Sequence, residues 1–272
     1  MSIGIAGDAD SSPAPEHQAW REARWKDIAG LNGKAAVIGN GKVVGREAVP
    51  LPAVPGEWST DASGALTVTA TREDGVTIDG TTVDGTATVP VGCSLEFRGG
   101  RRGVVRGSTG DYSLVFFDPE AVAASGITGI DTYPYDPQWV VQGRYEPAAP
   151  GRRIEVGRLT TPRTTDRIPA PVNLVVDIGG TQHVLAVLED SPGRRLAIFT
   201  DATSGTETPE IGRWLVLPML APDARLTVDF NQSVLSYHHV NPRVFFCPMR
   251  PAGNHLPLRV AAGERGLLRG PR

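Results

Sequence analysis

The chain has 272 residues, 40% of them hydrophobic and 21% charged, and a formal net charge of −3. It is long enough to bury one large core or two smaller ones, and too weakly charged to advertise a nucleic acid or an anionic membrane surface. Cys93 and Cys247 lie far apart, which excludes a disulfide framework and a four-ligand zinc site, and no run approaches the ~18 apolar residues of a membrane span. The start lacks a basic segment followed by a long apolar run, so it is not a secretory signal, and a reduced, cytoplasmic protein is expected.

Thirty-two glycines and 23 prolines are spread along the chain, and short apolar runs between turn residues predict β architecture. Residues 1–12 are small and polar and are expected to be disordered. PAPEHQAWREARWKDIAGL predicts the one clear helix, capped by Ser12 and stopped at Gly30, with Trp20 and Trp25 anchoring it. Strands follow at KAAVIG and KVVG, then a proline-rich rim, then ALTVTAT with Leu66, Val68 and Ala70 on one face. Asp79-Gly80 and Asp84-Gly85 read as hairpin turns, GVVRGS and DYSLVFFD as a strand pair, and DPEAVAASGITG as a loop or single helical turn. TYPYDPQWVVQGRYEP suits a strand with Trp139, Val141 and Tyr145 facing a core. PAAPGRR, 147–153, is the expected boundary between halves. Further strands are expected at RIEVGRLT, at NLVVDI and HVLAVL around Gly179-Gly180, and at RRLAIFTD, WLVLPML, ARLTVDFN and LRVAAGE.

The expected fold is therefore mostly β: two packed β-sandwich or barrel-like modules with one amino-terminal α-helix. The divisions are a tail over 1–12, helix plus sandwich-like module over 13–148, and a second β module carrying the site over 152–272. The strands of the first half resemble, in topology only, the forkhead-associated sandwich. The phosphopeptide-reading Ser and His of that family have no clear counterpart here.

Chemically capable side chains crowd the segment from Phe199 to Glu264. FTDATSGTETPEIGRWL, LTVDFN, FFCPMRPAGNHLP and AAGE together resemble the bacterial domain-of-unknown-function family number sixteen-eighty-four. WREAR, GREAVPLP and DTYPYDPQWVVQGRYEP extend the resemblance over nearly the whole chain. Two departures stand out. Pro209 replaces the family's usual Tyr, and SVLSYHHVNPRVF replaces a stretch containing Pro and Cys. The resemblance implies no substrate and no cofactor.

Tyr237-His238-His239 is the sharpest signal, because an imidazole titrates near neutrality and suits acid–base work. In an extended segment the two histidines face opposite ways. Asp229 and Asn231 at a strand end share the face opposite Phe230. Arg213 has two expected roles, pairing with Asp201 or Asp229, or holding a substrate carboxylate. Glu264 pairs with Arg213 or Arg259, or orients a base. His239, Cys247 and His255 lie eight apart and converge only through loops, so no metal is expected. The TSG turn, Cys247 and Asn254 read as scaffold. Walker, G-x-S-x-G and H-E-x-x-H motifs are absent.

These readings lead to a cofactor-independent enzyme acting on a small organic substrate by acid–base chemistry (hydrolysis, elimination or cyclisation), with a place in biosynthesis. His238, His239, Asp229 and Glu264 are the expected catalytic residues, and Arg213, Asn231 and Tyr237 the substrate-binding ones. No nucleic-acid or membrane partner is expected. The alternatives are a non-catalytic module binding a small molecule, and a protein-interaction module using the first sandwich.

Overall fold

The computed structural model describes residues 15–270, so the expected tail over 1–12 and the Ser12 cap lie outside the described residues. The chain is mostly β, in two β modules with one long amino-terminal helix, α1 (Pro15–Ala29). No helix among the described residues is long and apolar enough to cross a membrane. Contacts divide the chain into two compact units, one of residues 1–22 and 128–268, the other of residues 23–127 and 269–272.

The second of these units holds β1 (Val37–Val44), β2 (Val49–Pro50), β3 (Glu57–Thr60), β4 (Leu66–Ala70), β5 (Thr77–Ile78), β6 (Thr81–Thr82), β7 (Gly85–Thr88), β8 (Leu95–Phe97), β9 (Arg101–Ser108) and β10 (Asp111–Phe117). A six-stranded sheet ordered β1-β10-β9-β8-β5-β6 and a four-stranded sheet ordered β2-β3-β4-β7 share one core. Leu66, Val68 and Ala70 are buried in it as the alternation predicted, and Trp58, Phe97 and Phe116 meet there with ring centroids 5.7–6.4 Å apart. The expected strands KAAVIG and KVVG are one continuous strand after a turn of 3-10 helix at Lys34–Ala36. Asp79-Gly80 does turn a hairpin, with Asp79 at φ 49°. Asp84-Gly85 does not, because β7 leaves β6 and pairs with β4. Asp118 caps the short α2 (Pro119–Ala124) by accepting from the Glu120 N–H.

The other unit contains β11 (Ile127–Thr132), β12 (Val140–Pro147), β13 (Arg153–Arg158), β14 (Thr164–Pro169), β15 (Val172–Ile178), β16 (Thr181–Ser191), β17 (Arg194–Phe199), β18 (Arg213–Leu217), β19 (Arg225–Asp229), α3 (Tyr237–Val240) and β20 (Glu264–Arg269). Its main sheet is antiparallel, ordered β18-β17-β16-β15-β12-β19. Both faces are covered, which explains why residues 196–199 of β17 are apolar throughout. Ala197 and Phe199 enter one core, while Leu196 and Ile198 enter the core on the opposite face. Gly179-Gly180 turns β15 into β16 as expected.

Two expectations are corrected here. The boundary at 147–153 falls inside this unit, because β12 pairs with β15 on one edge and β19 on the other. LRVAAGE is not the last strand. Residues 258–263 run without regular pairing, and Glu264–Arg269 forms the strand against β11.

Candidate functional site

The segment after β17 is built around a buried ion pair. Arg213 Nη2 donates to Asp201 Oδ2 at 2.5 Å, with the two side chains 1% and 0% exposed. The same guanidinium donates to the carbonyls of Val260, at 2.9 Å, and of Ala262. The other Asp201 oxygen accepts from the Thr203 N–H at 2.8 Å and its hydroxyl at 2.5 Å, closing the TSG turn. Burial lowers the Arg213 pKa, and Asp201 opposes that shift. The turn approaches β18 through Gly212, at φ 86°, where a Cβ would lie 2.2 Å from the Phe199 carbonyl oxygen. Arg213 is thus engaged in the core by Asp201 and two backbone carbonyls.

Asn254 is scaffold of a different kind. Its amide donates to the Ala186 and Ile198 carbonyls at 2.9 Å each, and its oxygen accepts from the Ala186 N–H at 2.8 Å. Ala186 and Ile198 would face each other in the register set by Leu188 and Leu196, so this side chain takes the place of ladder bonds between β16 and β17. Glu264 is 1% exposed, and its Oε2 accepts from the Leu235 N–H at 2.6 Å. Asp229 caps a turn of 3-10 helix at Phe230–Gln232, accepting from the Asn231 backbone N–H and side-chain amide and from Gln232. Asn231 in turn accepts from the Asp136 N–H at 3.0 Å and donates to its carbonyl at 2.9 Å.

The histidine segment differs most from expectation. Tyr237–Val240 is a helical turn, so His238 and His239 do not alternate across a strand; their ring centroids are 6.5 Å apart and nearly perpendicular. His238 Nδ1 donates to the Phe245 carbonyl at 3.0 Å. His239 Nδ1 lies 3.1 Å from the Ser236 hydroxyl and 3.3 Å from its carbonyl. A carbonyl only accepts, so the His238 ring carries its proton on Nδ1, whereas the Ser236 hydroxyl can donate to or accept from His239 Nδ1. Burial lowers the His239 pKa, with His238 adding to the shift and the Ser236 backbone contact opposing it. Tyr237 packs edge-on to Trp214 and against Phe245. Cys247 is buried nearby, and burial raises its pKa.

The structure therefore brings Asp229 to Asn231, and groups Tyr237, His238 and His239. It sends Arg213 to Asp201 and Glu264 to Leu235. His255 Nδ1 lies 3.1 Å from the Thr200 hydroxyl. No three His, Cys, Asp or Glu side chains among the described residues group as metal ligands do. Two open clefts, one including Val54, Glu57 and Asp84 and the other Arg152, Pro169 and Glu189, contain none of the expected site residues.

Sequence reasoning missed His17. This residue of α1 is 8% exposed, stacks on Trp20 at 5.5 Å and meets Tyr135 at 4.8 Å. Its Nδ1 is buried without a hydrogen-bond partner. Burial lowers its pKa; the Asp229 charge opposes this and Arg21 adds to it. A signal was present in the sequence: His17, Arg24 and Ile28 fall on one helical stripe, and all three are buried. Tyr133 was also missed. Its ring lies within 5.1–5.9 Å of the guanidiniums of Arg265, Arg259 and Arg213, and its hydroxyl donates to Glu207 at 3.1 Å.

The family model described as a protein of unknown function (DUF1684) matches residues 125–265. No curated protein matches the chain. Among solved structures, an uncharacterized protein of Haloarcula marismortui determined by solution NMR is 24% identical; the match covers 54% of this chain and 80% of that one, with a TM-score of 0.41.

Proposed function

The chain belongs to the family described as a protein of unknown function (DUF1684), and we propose that it is a cofactor-independent enzyme performing acid–base chemistry on a small organic substrate. The supporting observation is the pair of imidazoles on α3, each held through Nδ1. His239 is the stronger base candidate. Burial lowers its pKa, which favours the neutral imidazole that a general base must start from, and Ser236 contacts its Nδ1. Orientation, assigned to Asp229 or Glu264 from sequence, is supplied by Ser236 and by the Phe245 carbonyl for His238. The reaction classes that need no more than this are hydrolysis, elimination and cyclisation. Cys93 and Cys247 are free thiols, which supports placing the protein in the cytoplasm.

The test is turnover of a panel of esters, lactones and β-hydroxy acids by the purified full chain. Replacing His239 with Gln is expected to lower kcat about 10²- to 10⁴-fold. Full turnover in folded His238→Ala and His239→Ala variants would refute the assignment. A second reading, a non-catalytic ligand-binding module, is favoured by the internal hydrogen bonds that occupy Arg213, Asn231 and Asp229. It predicts a ligand retained unchanged under the same conditions.

A further inference from the structure

Residues 148–153, which lead from β12 into β13, line a cleft of about 200 Å³ together with Pro169, Pro171 and Glu189. The Arg152 N–H closes the turn by donating to the Ala149 carbonyl at 3.0 Å, and the Ala148 N–H donates to the Pro171 carbonyl at 2.9 Å. Pro150, Pro169 and Pro171 have no N–H to offer, so with Ala148 and Ala149 they give the cleft stiff, apolar walls. Two arginines line the same cleft. Arg152 Nε donates to the Ala170 carbonyl at 2.6 Å, Nη2 to the Val172 carbonyl at 2.9 Å and Nη1 to Asn173 Oδ1 at 2.9 Å. Arg153 donates to the Arg167 carbonyl through Nε, at 3.0 Å, and through Nη2. Every one of these acceptors is neutral, and among the described residues neither guanidinium has a carboxylate partner. Glu189, the acidic residue lining the cleft, accepts from Arg195 Nε at 3.0 Å, so its charge is already matched.

Cations drawn out of water are usually paired with an anion, and Arg152 is half-buried. Burial lowers its pKa, and no carboxylate opposes that shift. A guanidinium carries five N–H donors, so the bonds made by Arg152 and Arg153 leave donors over on both. We propose that this cleft binds a small carboxylate with an apolar body. The carboxylate takes the spare N–H groups of the two guanidiniums, whose planar fork matches its geometry. The body lies against the proline and alanine walls, which give an inorganic anion nothing to bind. Size agrees with this, since an apolar cavity of about 150 Å³ holds benzene and the cleft measures about 200 Å³. Tyr237, His238 and His239 do not line it, so the site is separate from the proposed acid–base centre.

The probe is benzoate, titrated into the full ¹⁵N-labelled chain, with benzamide as the uncharged analogue and inorganic phosphate as the anion without a body. The Gly151 amide and the Arg152 and Arg153 Nε resonances are expected to shift saturably with benzoate, and about tenfold more weakly with either analogue. Benzoate should bind about tenfold more weakly to Arg152→Gln and to Arg153→Gln. Arg152 also braces β13 against β15, so Arg153→Gln, at an exposed position, decides the matter if Arg152→Gln does not fold. The readout is binding and not turnover, so it succeeds or fails independently of the enzyme reading. Unmoved resonances in the wild type would overturn the proposal and leave the two arginines as struts between strands. Benzamide or phosphate binding as tightly as benzoate would also overturn it, as would a titration unaffected by Arg153→Gln.

Discussion

Replacing Arg213 with methionine keeps much of the side-chain length while removing every polar contact of the guanidinium. Asp201 would remain as a fully buried carboxylate, held only by the N–H and hydroxyl of Thr203. Breaking a buried pair by deleting one partner costs about 3–5 kcal/mol. The stranded Val260 and Ala262 carbonyls add about 1 kcal/mol each, and burial of the methionine returns about 1.5–3 kcal/mol. The net is about 2–5.5 kcal/mol, centred on about 4. With a urea slope of about 2 kcal/mol/M, the midpoint should fall by roughly 2 M. Tryptophan fluorescence during urea unfolding reads this directly, because Trp214 adjoins the site in sequence. Combining the change with Asp201→Asn should recover at least about 1 kcal/mol in a double-mutant cycle, since the second change removes the stranded charge. An Arg213→Met variant within about 1 kcal/mol of wild type would refute the idea that this pair ties the TSG turn to β18.

Gly263→Ala combines a left-handed φ with a backbone clash against Ser233, so a loss of at least about 2 kcal/mol is expected in the same assay. Asn254→Ala removes three hydrogen bonds at the β16–β17 junction and should cost about 2–3 kcal/mol. Asn254→Asp should cost more, because a carboxylate would face the Ala186 and Ile198 carbonyls. Burial lowers the pKa values of His17 and His239 below their ordinary 6.5. Their stabilising contribution is therefore complete above pH ~6.5 and is lost as pH falls through that value toward the folded pKa, because the unfolded state binds the protons first. Stability measured from pH 7.5 to 5 should decline with a slope that flattens in His17→Phe, and an unchanged slope would refute the assignment. Cys247, buried with a raised pKa, should resist alkylation in the native protein at pH 8 and react only in denaturant.

The site was less legible than the fold. The motif residues Asp201, Arg213, Asn231, Asn254 and Glu264 looked chemically capable because polar side chains are rare in apolar segments. Nothing local shows that Arg213, Asn231, Asn254 and Glu264 bond backbone groups tens of residues away, such as Val260, Asp136, Ala186 and Leu235. Tyr237–Val240 is a single helical turn, too short for its period to register, so the expected alternation of His238 and His239 failed. Asp84-Gly85 has hairpin chemistry, but β4 offers β7 a longer pairing than β6 could. The proline- and glycine-rich run at 147–153 resembles a linker, yet it joins two strands of one unit.

Sequence by itself determined the β class, the single long helix, the turns at Asp79-Gly80 and Gly179-Gly180, and the apolar strands of the main sheet. Each follows from local periodicity or from the φ preference of one or two residues. Tertiary structure decided which strands pair, where the units divide, and which polar side chains are spent on backbone partners. It also buried one polar atom each of His17, Ser233 and Arg265 without a hydrogen-bond partner, which nothing local in the sequence signals. Pairing, partner choice and burial depend on contacts between distant segments, and burial is the largest cause of the lowered pKa values of His17 and His239.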